Sequence, residues 1–600
     1  MEKNIFSKIF RNEKLRVILL YSIIVIILTY PFIYKIHNHL FRGFLRSEYN
    51  NNPVIWEPRW DGAHPDTFGF IYTMAWISHS LTTDPKNLFN ANIFYPNKNV
   101  LAYHNHNFTN ALIALPFNAI LKNPVLAYNF LVFFSYISAA FGMYLLTKFF
   151  IDDKLISFTS GLMFVFTWLN YFYIQGIEVI STEWIPLTFL YLFKFLDSKK
   201  TKHIFLFLIF FLLGALTSWY FLVYLVYSLA LLIIIQIIYR WREILTPRNL
   251  ILFLIIFILA AAVIYPISLP YLENRHQFPD FKRTKANTLM EADYLDYYLL
   301  TIDKMKYLQY ILCAYILITL LGRKKDSENE NRLMPAKIFF LLLAFFSFLL
   351  SMGPRLKAFG KVRNIPLPYT LLFDYFPGFE ITRNPRRFEV LLNLSLSFIA
   401  CLAIWYIIKM IKGDGVKKAV KIALILIPIV NYSHIANFPN MLQYCPRGDE
   451  VYKVYKWLAS LNEDVSIYQT SYNKQNGFAK PGHSMREAIY TYYSIYHWKK
   501  TVNGIATWIP PSFRKLINME EQFPSKKFLN ELRNLGTNYI IVIDCVGDLL
   551  DVKNGPLEEL LRDNEIRLIK KDTGIKKLRY NYAYEIIYKN KSPQYKDIPS

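Results

Sequence analysis

Cysteine is almost missing from this sequence, with four among 600 residues, and glycine is scarce at 21. Thiols this few exclude a small disulfide-stapled scaffold, and glycine this rare excludes a collagen-like repeat. There is no Walker-type phosphate loop, GxSxG elbow, HExxH helix or CxxC pair, so the usual signals of soluble nucleotide chemistry and of common proteases are missing. Leucine-rich, propeller and heptad periods are absent too. The first apolar run, Leu15–Tyr34, is long, lacks a small-residue cleavage site and leads into a Trp-bearing segment, so it is expected to stay as an anchor.

What is abundant is apolar surface. Hydrophobic residues make up 54% of the chain and aromatic residues 17%, and the mean hydropathy is +0.21. Length alone suggests roughly four soluble domains, but this composition fits neither four water-facing surfaces nor a disordered chain. After Leu15–Tyr34, apolar runs recur at Leu126–Leu146, Leu155–Trp168, Trp184–Phe195, Ile204–Leu216, Phe221–Tyr239, Ile251–Tyr271, Tyr307–Leu321, Ile338–Ser351, Phe388–Ile411 and Ala419–Ala436. They predict about eleven spans of the ~20 residues a bilayer core requires.

Lys and Arg total 68 against 44 Asp and Glu, a net charge of +24. With the N-terminus inside, every inner loop is basic, for example at Lys199, Lys200 and Lys202, at Arg240, Arg242 and Arg248, and at Arg323, Lys324 and Lys325. The outer loops near Gln175–Ser181 and Thr217–Trp219 carry neither Lys nor Arg. This is the positive-inside pattern, and it accounts for much of the charge without a nucleic-acid partner. The expected location is the cell membrane, multi-pass, with a cytoplasmic N-terminus.

Two outer segments exceed simple turns. The first, residues 35–124, contains the apolar stretch Phe108–Leu121, read as an interfacial helix because a span there would invert every later loop. The second is the tail, where charge becomes dense, Tyr539–Asp544 (YIIVID) alternates like a strand and Lys526–Leu535 reads as a helix. The expected fold class is therefore an α-helical polytopic membrane protein over residues 1–440, followed by an extracytoplasmic α/β domain over 445–600. Cys445 and Cys545 both fall in that tail and could pair, but two thiols alone do not establish a disulfide.

Candidate chemistry concentrates in the outer loops. Trp56–Trp76 (WEPRWDGAHPDTFGFIYTMAW) gathers Glu57, Asp61, Asp66, Arg59 and His64 beside three tryptophans. Acids placed there can take a proton from an acceptor hydroxyl, or hold a divalent ion such as Mg or Mn that neutralises a phosphate leaving group. Asp66 could equally N-cap a helix running to about Ser80. In Tyr103–His106 (YHNH), His104 and His106 with His64 and an Asp are loosely spaced for structural zinc, and hydrogen bonding to lipid or sugar suits them better. Phe376–Phe388 (FPGFEITRNPRRF) sets Arg383, Arg386 and Arg387 at an outer helix start, where they fit either bidentate phosphate binding or headgroup anchoring. Glu178 and Glu183 sit at outer span ends in QGIEVISTEW; acids beside a span suggest function, although Glu183 also suits a helix cap.

The long first loop with its acid, the interfacial helix, the span count and the external tail together resemble the GT-C superfamily of integral-membrane glycosyltransferases, which use polyprenyl-phosphate sugars. Pro124–Thr167 is similar to their second-to-third-span hairpin. The chain also resembles a large group of prokaryotic polytopic proteins through Asp66–Trp76, Asp84–Tyr103, Ser181–Leu187, Ser218–Tyr220, Phe376–Phe388, Tyr492–Gly504 (YYSIYHWKKTVNG) and Pro510–Arg514. The resemblance implies that Asp66 activates the acceptor or helps hold a metal, with Asp61, Glu57 and Glu178 as supporting acids. It implies that Arg383, Arg386 and Arg387 face a lipid-linked phosphate, and that His64, Tyr103, His104, His106, Trp219 and Tyr220 contact acceptor or sugar. Asn105, Asn90 and Gly176 depart from the expected pattern at two acid positions and one polar, His-like position, which suits metal-free inverting transfer better than a two-carboxylate metal site. The implied partners are a polyprenyl-phosphate sugar, membrane lipid and an acceptor glycan, lipid or protein. Competing readings are a flippase or exporter of lipid-linked saccharide, and a non-catalytic protein whose tail binds cell-envelope glycan. Transfer requires the first-loop acid and the arginines to share one outward pocket.

Overall fold

The computed structural model describes residues 12–41, 64–281, 284–301, 303–322, 328–376, 379–436, 440, 442–448, 451–473, 477–519, 522–544, 557–573 and 580–586. Glu57 and Asp61, and Cys545 with its pairing to Cys445, lie outside them. The chain divides into two compact units, one of Met1–Phe44, Asn105–Ala114 and Leu126–Leu442, the other of Leu45–His104, Leu115–Val125 and Gln443–Ser600.

The first unit is helical. Each of the eleven apolar runs lies on a helix, among them Glu13–Leu28, Pro124–Phe150, Lys154–Val165, Trp184–Ser198, Thr201–Ala215, Trp219–Ile244, Pro247–Gln277, Lys304–Gly322, Glu328–Ser351, Glu389–Met410 and Asp414–Ile435. Among the described residues, seven candidate spans are long and apolar enough to cross a membrane, and Lys154–Val165 and Thr201–Ala215 are shorter apolar helices. The chain is thus a multi-pass membrane protein. Glu389–Met410 is the central helix and packs against Glu328–Ser351, Lys304–Gly322 and Lys154–Val165. Pro247–Gln277 is peripheral: it has the highest hydropathy of the seven spans yet only 6% of its most apolar window is buried, as a helix facing lipid tails should be. Small residues permit close helix approach in this unit. A Cβ on Gly161 would lie 2.5 Å from the carbonyl oxygen of Ala140, against the Tyr21 hydroxyl.

Some polar groups inside the bundle are matched with one another, since hydrocarbon offers no water to satisfy them. Lys306 and Glu389 form an ion pair with side chains 1% and 0% exposed, and Gln309 donates to the Ser397 hydroxyl at 3.3 Å. A hairpin, Arg355–Ala358 with Lys361–Pro366, precedes the segment carrying the three arginines.

The second unit contains a mixed sheet. Ser466–Asn473 runs parallel to Tyr539–Asp544 with Ile467 opposite Tyr539. Tyr580–Ile586 is antiparallel to both Tyr539–Asp544 and Ile566–Thr573. Ile540, Ile541 and Val542 are all fully buried, so this strand is covered on both faces, as parallel pairing usually requires. The helix Lys526–Asn534, N-capped by Ser525, precedes it. Two separated pieces of sequence meet beside the sheet. The Tyr95 amide donates to the Thr501 carbonyl at 2.9 Å, the Phe94 amide to Asn503 at 3.1 Å, and the Thr501 amide to Asn92 at 2.7 Å. Gly504 is required there, since a Cβ would lie 2.8 Å from the Phe94 ring.

Candidate active site

In the first unit the arginine segment is held by prolines and acids. Pro385 opens a short 3-10 turn, Pro385–Phe388, that runs directly into the Glu389–Met410 helix, so Arg386 and Arg387 sit at the helix entrance. Each of the three arginines faces its own carboxylate. Arg383 lies 3.7 Å from Glu291 with both side chains about two-fifths exposed. Arg386 is paired with Asp293, and the same acid accepts from the Tyr298 hydroxyl at 3.0 Å. Burial pushes Asp293 up to about 6 against the pull of Arg386. Arg387 pairs with Glu178 at 2.6 Å, with side chains 14% and 8% exposed.

Glu178 stands in the first turn of the four-residue helix Ile177–Ile180. Its second oxygen accepts from the Asn105 amide at 2.6 Å. Asn105 also donates to the Ser218 hydroxyl at 2.8 Å and accepts the Trp219 backbone N–H at 3.1 Å. The departure from an acid at 105 therefore has a physical reason: a carboxylate there would face Glu178 at hydrogen-bond distance, whereas the amide presents a donor. Trp219 and Tyr220 open the next helix, which is capped by Ser218. The Arg387 guanidinium lies over the Tyr220 ring at 4.5 Å and the Tyr173 ring at 5.7 Å. His106 stacks on Phe108 and meets Trp219 edge-on, and burial lowers it to about 3, so its ring is neutral and packed.

Polar demand inside this shell is not fully met. Among the described residues, buried Arg387 Nε has no acceptor, and the Tyr224 hydroxyl and Asn384 Oδ1 have no partner. Tyr224 and Arg387 are electrostatic neighbours, and Asn384 donates through its amide to the Tyr173 hydroxyl at 3.1 Å. A buried cation with an unused N–H is where an anionic ligand adds a bond without breaking one.

The other predicted residues belong to the second unit. His64, not Asp66, is the N-cap of the Pro65–Thr83 helix: its ring accepts the Asp66 amide at 3.2 Å. Pro65 occupies the first helical position, so the cap falls two residues upstream of where an Asp-Thr-Phe-Gly reading puts it. His64 Nδ1 also approaches the Asp66 carboxylate at 3.6 Å. The Asp66 side chain is 53% exposed. Tyr103 is core: it meets Trp508 edge-on at 4.8 Å and donates to Lys98. His104 shares a hydrogen bond of 3.2 Å with Thr507. Asn90 orders its loop, its side-chain oxygen accepting the Asn99 amide at 3.0 Å, and Gly176 caps the helix bearing Glu178. Among the described residues, no three His, Cys, Asp or Glu side chains converge as metal ligands.

Sequence reading missed Asn384, Tyr173 and Tyr224 as parts of the arginine shell. Only Asn384, inside the arginine segment, carried a local signal; the tyrosines arrive from helices remote in sequence. Glu291 and Asp293 pair with Arg383 and Arg386 from more than ninety residues away, a separation that carries no local signal.

No protein-family profile matches this chain, and no curated protein matches it. Among solved structures it is similar to ArnT from Cupriavidus metallidurans in the apo state, at 9% identity and a TM-score of 0.47 over 94% of this chain and 97% of that one. It is likewise similar to ArnT from the same organism bound to undecaprenyl phosphate, at 9% identity and a TM-score of 0.46 over 97% of this chain and 100% of that one.

Proposed function

We propose that this protein is a membrane glycosyltransferase that moves a sugar from a polyprenyl-phosphate donor to an acceptor on the outer face of the membrane. The observation that carries the reading is the buried Arg387, held on one side by Glu178 with its Nε unused. The lipid phosphate meets that N–H, and Arg383, more exposed, supplies a second cation. Arg386 is committed to Asp293 and acts as a positioning residue. Sugar transfer leaves the negative charge of the broken C1–O bond on lipid phosphate, so a fixed cation at that oxygen stabilises the transition state more than the ground state.

Glu178 is bound by both Arg387 and Asn105, which removes it as a general base. In this scheme half-exposed Asp66 takes the proton as the acceptor oxygen attacks C1. A divalent metal is not required by this scheme, in which the phosphate charge is met by guanidinium. The test uses purified protein in lipid nanodiscs with a panel of polyprenyl-phosphate sugars, following release of polyprenyl phosphate. Asp66→Asn and Arg387→Gln should each abolish release while the protein still inserts and elutes as wild type. Full activity in Asp66→Asn removes that residue from the mechanism.

The interrupted span Ile177–Ser198 and the buried Lys306–Glu389 pair favour a second reading, transport of a lipid-linked saccharide. Translocation of a labelled polyprenyl-linked sugar in liposomes, without release of lipid phosphate, would select it.

A further inference from the structure

The candidate span Ile177–Ser198 is not one helix. A single turn, Ile177–Ile180, is followed by Ser181 in a non-helical conformation, and the helix resumes at Trp184. Broken helices within membranes expose backbone and polar side chains, and they are found where ions bind. At this break sits Glu183, whose side chain is fully buried and whose carboxylate is met, among the described residues, by the Ser135 hydroxyl and its own backbone N–H and by no cation. Among the described residues no Lys, Arg or His forms an ion pair with it. Around it are neutral oxygen groups on three different segments. The Ser135 hydroxyl lies beside the carboxylate and 3.1 Å from the Ser181 hydroxyl. Asn110 donates to Ser181 at 3.1 Å and to Asn107 at 3.2 Å. The Thr182 hydroxyl, also buried, has no partner among the described residues.

A buried carboxylate met only by neutral donors does not remain charged in such a place; it takes up either a proton or a cation. A protonated acid would need one acceptor for its O–H and would leave the Thr182 oxygen unused. A cation would use the carboxylate together with the Ser135, Ser181 and Thr182 hydroxyls and the Asn110 carbonyl oxygen, an all-oxygen set suited to a hard ion. One carboxylate balances one positive charge, whereas a divalent ion would leave an uncompensated charge in the bundle. We propose that Glu183, Ser135, Ser181, Thr182 and Asn110 form a binding site for a monovalent alkali cation at the helix break. Such an ion fixes the break, and with it the preceding turn that carries Glu178 to Arg387. The site does not depend on the glycosyltransferase reading.

The experiment measures the melting temperature of the full chain in nanodiscs, near neutral pH, in sodium, potassium or choline chloride at equal ionic strength, together with equilibrium binding of radiolabelled sodium. The expected result is a saturable rise in melting temperature with sodium or potassium and none with choline, and binding of one ion per chain. Glu183→Gln should abolish the dependence and still melt in choline at or above the wild-type temperature, because the amide removes the buried charge. Ser135→Ala should weaken the ion by about tenfold or more. If Glu183→Gln does not fold, wild-type stoichiometry and Ser135→Ala decide the matter. Equal melting in all three salts, a dependence retained by Glu183→Gln, or an infrared band of a protonated carboxyl that persists in saturating sodium and vanishes in Glu183→Gln would overturn the site.

Discussion

Glu178→Gln offers the sharpest test of the arginine site, because stability and ligand affinity should move in opposite directions. The ion pair it breaks is close, at 2.6 Å, and two charges so placed attract by about 6 kcal/mol gross at an effective dielectric of about 20. Glutamine keeps an oxygen for Arg387, but its NH2 then faces the NH2 of Asn105, which cannot rotate without turning that group on the Trp219 N–H. Every orientation leaves two donors opposed. The expected net loss is about 3 kcal/mol, the low end of what breaking a buried pair costs, read as a lower melting temperature in detergent. Affinity for a short-chain prenyl phosphate should rise. Two anions on one guanidinium lie about 5 Å apart and repel by about 3 kcal/mol, so removing one tightens the other by up to about a hundredfold. The double variant Asn105→Asp with Glu178→Gln should recover stability, since the new carboxylate accepts from Gln and from the Ser218 hydroxyl, while Asn105→Asp alone should be destabilising through facing carboxylates. Phosphate affinity that is unchanged or weaker in Glu178→Gln would refute the assignment of Arg387 as the anion site.

Lys306→Met should lower stability by about 3–5 kcal/mol because it strands Glu389 in the bundle, and Lys306→Met with Glu389→Leu should recover most of it; thermal melting of the three variants tests this. Gly504→Ala should destabilise the second unit, because the methyl meets the Phe94 ring at 2.8 Å, and a smaller Phe94→Leu partner should relieve it in a melting double-mutant cycle. Burial pushes Glu487 up to about 7 even though Asn503 and the Gly482 amide donate to it. A raised carboxyl pKa means that the folded state holds a proton the unfolded chain has already lost. Stability should therefore fall as pH rises from the ordinary Glu range to about 7, by about 3 kcal/mol in all, and level off above. Denaturation of wild type and Glu487→Gln across that range should show the slope in the first and its loss in the second.

The helices were legible because an apolar run of span length leaves few alternatives to a helix in a bilayer. YIIVID was legible as a strand from its alternation, and it is one at Tyr539–Asp544. The arginines could be singled out because positive charge on a loop read as outer runs against the usual bias. Their pairing could not: Glu178 and Arg387 are more than two hundred residues apart, and Asn105 looked like a missing acid when it is the donor that makes Glu178 tolerable. The Asp66 cap was misplaced for a local reason, since both His64 and Asp66 are competent caps and only the position of Pro65 decides between them. Glu183 read as a helix cap and stands at the N-cap position of Trp184–Ser198, but its side chain makes no capping bond and turns to Ser135 instead.

That three neighbouring arginines each have a separate acid is informative about how such a site can exist before its ligand arrives. Guanidinium groups left bare beside lipid would each cost several kcal/mol in lost hydration, and a free phosphate-binding cluster would destabilise the empty protein. Here Arg383 is matched by Glu291, Arg386 by Asp293 and Arg387 by Glu178. Binding an anion then need not create or destroy a buried net charge of more than one pair at a time. Of the three, Arg386 shares its acid with Tyr298 and cannot be released without disturbing the Tyr298–Ser351 contact. Arg383 is exposed enough that water competes for it. Arg387 alone combines burial, two aromatic faces and a vacant N–H. It can accept a phosphate oxygen while keeping its acid, which makes it the residue whose replacement by lysine should cost most: lysine offers neither the planar fork nor the ring stacking, so Arg387→Lys should lose phosphate affinity even though its charge is unchanged.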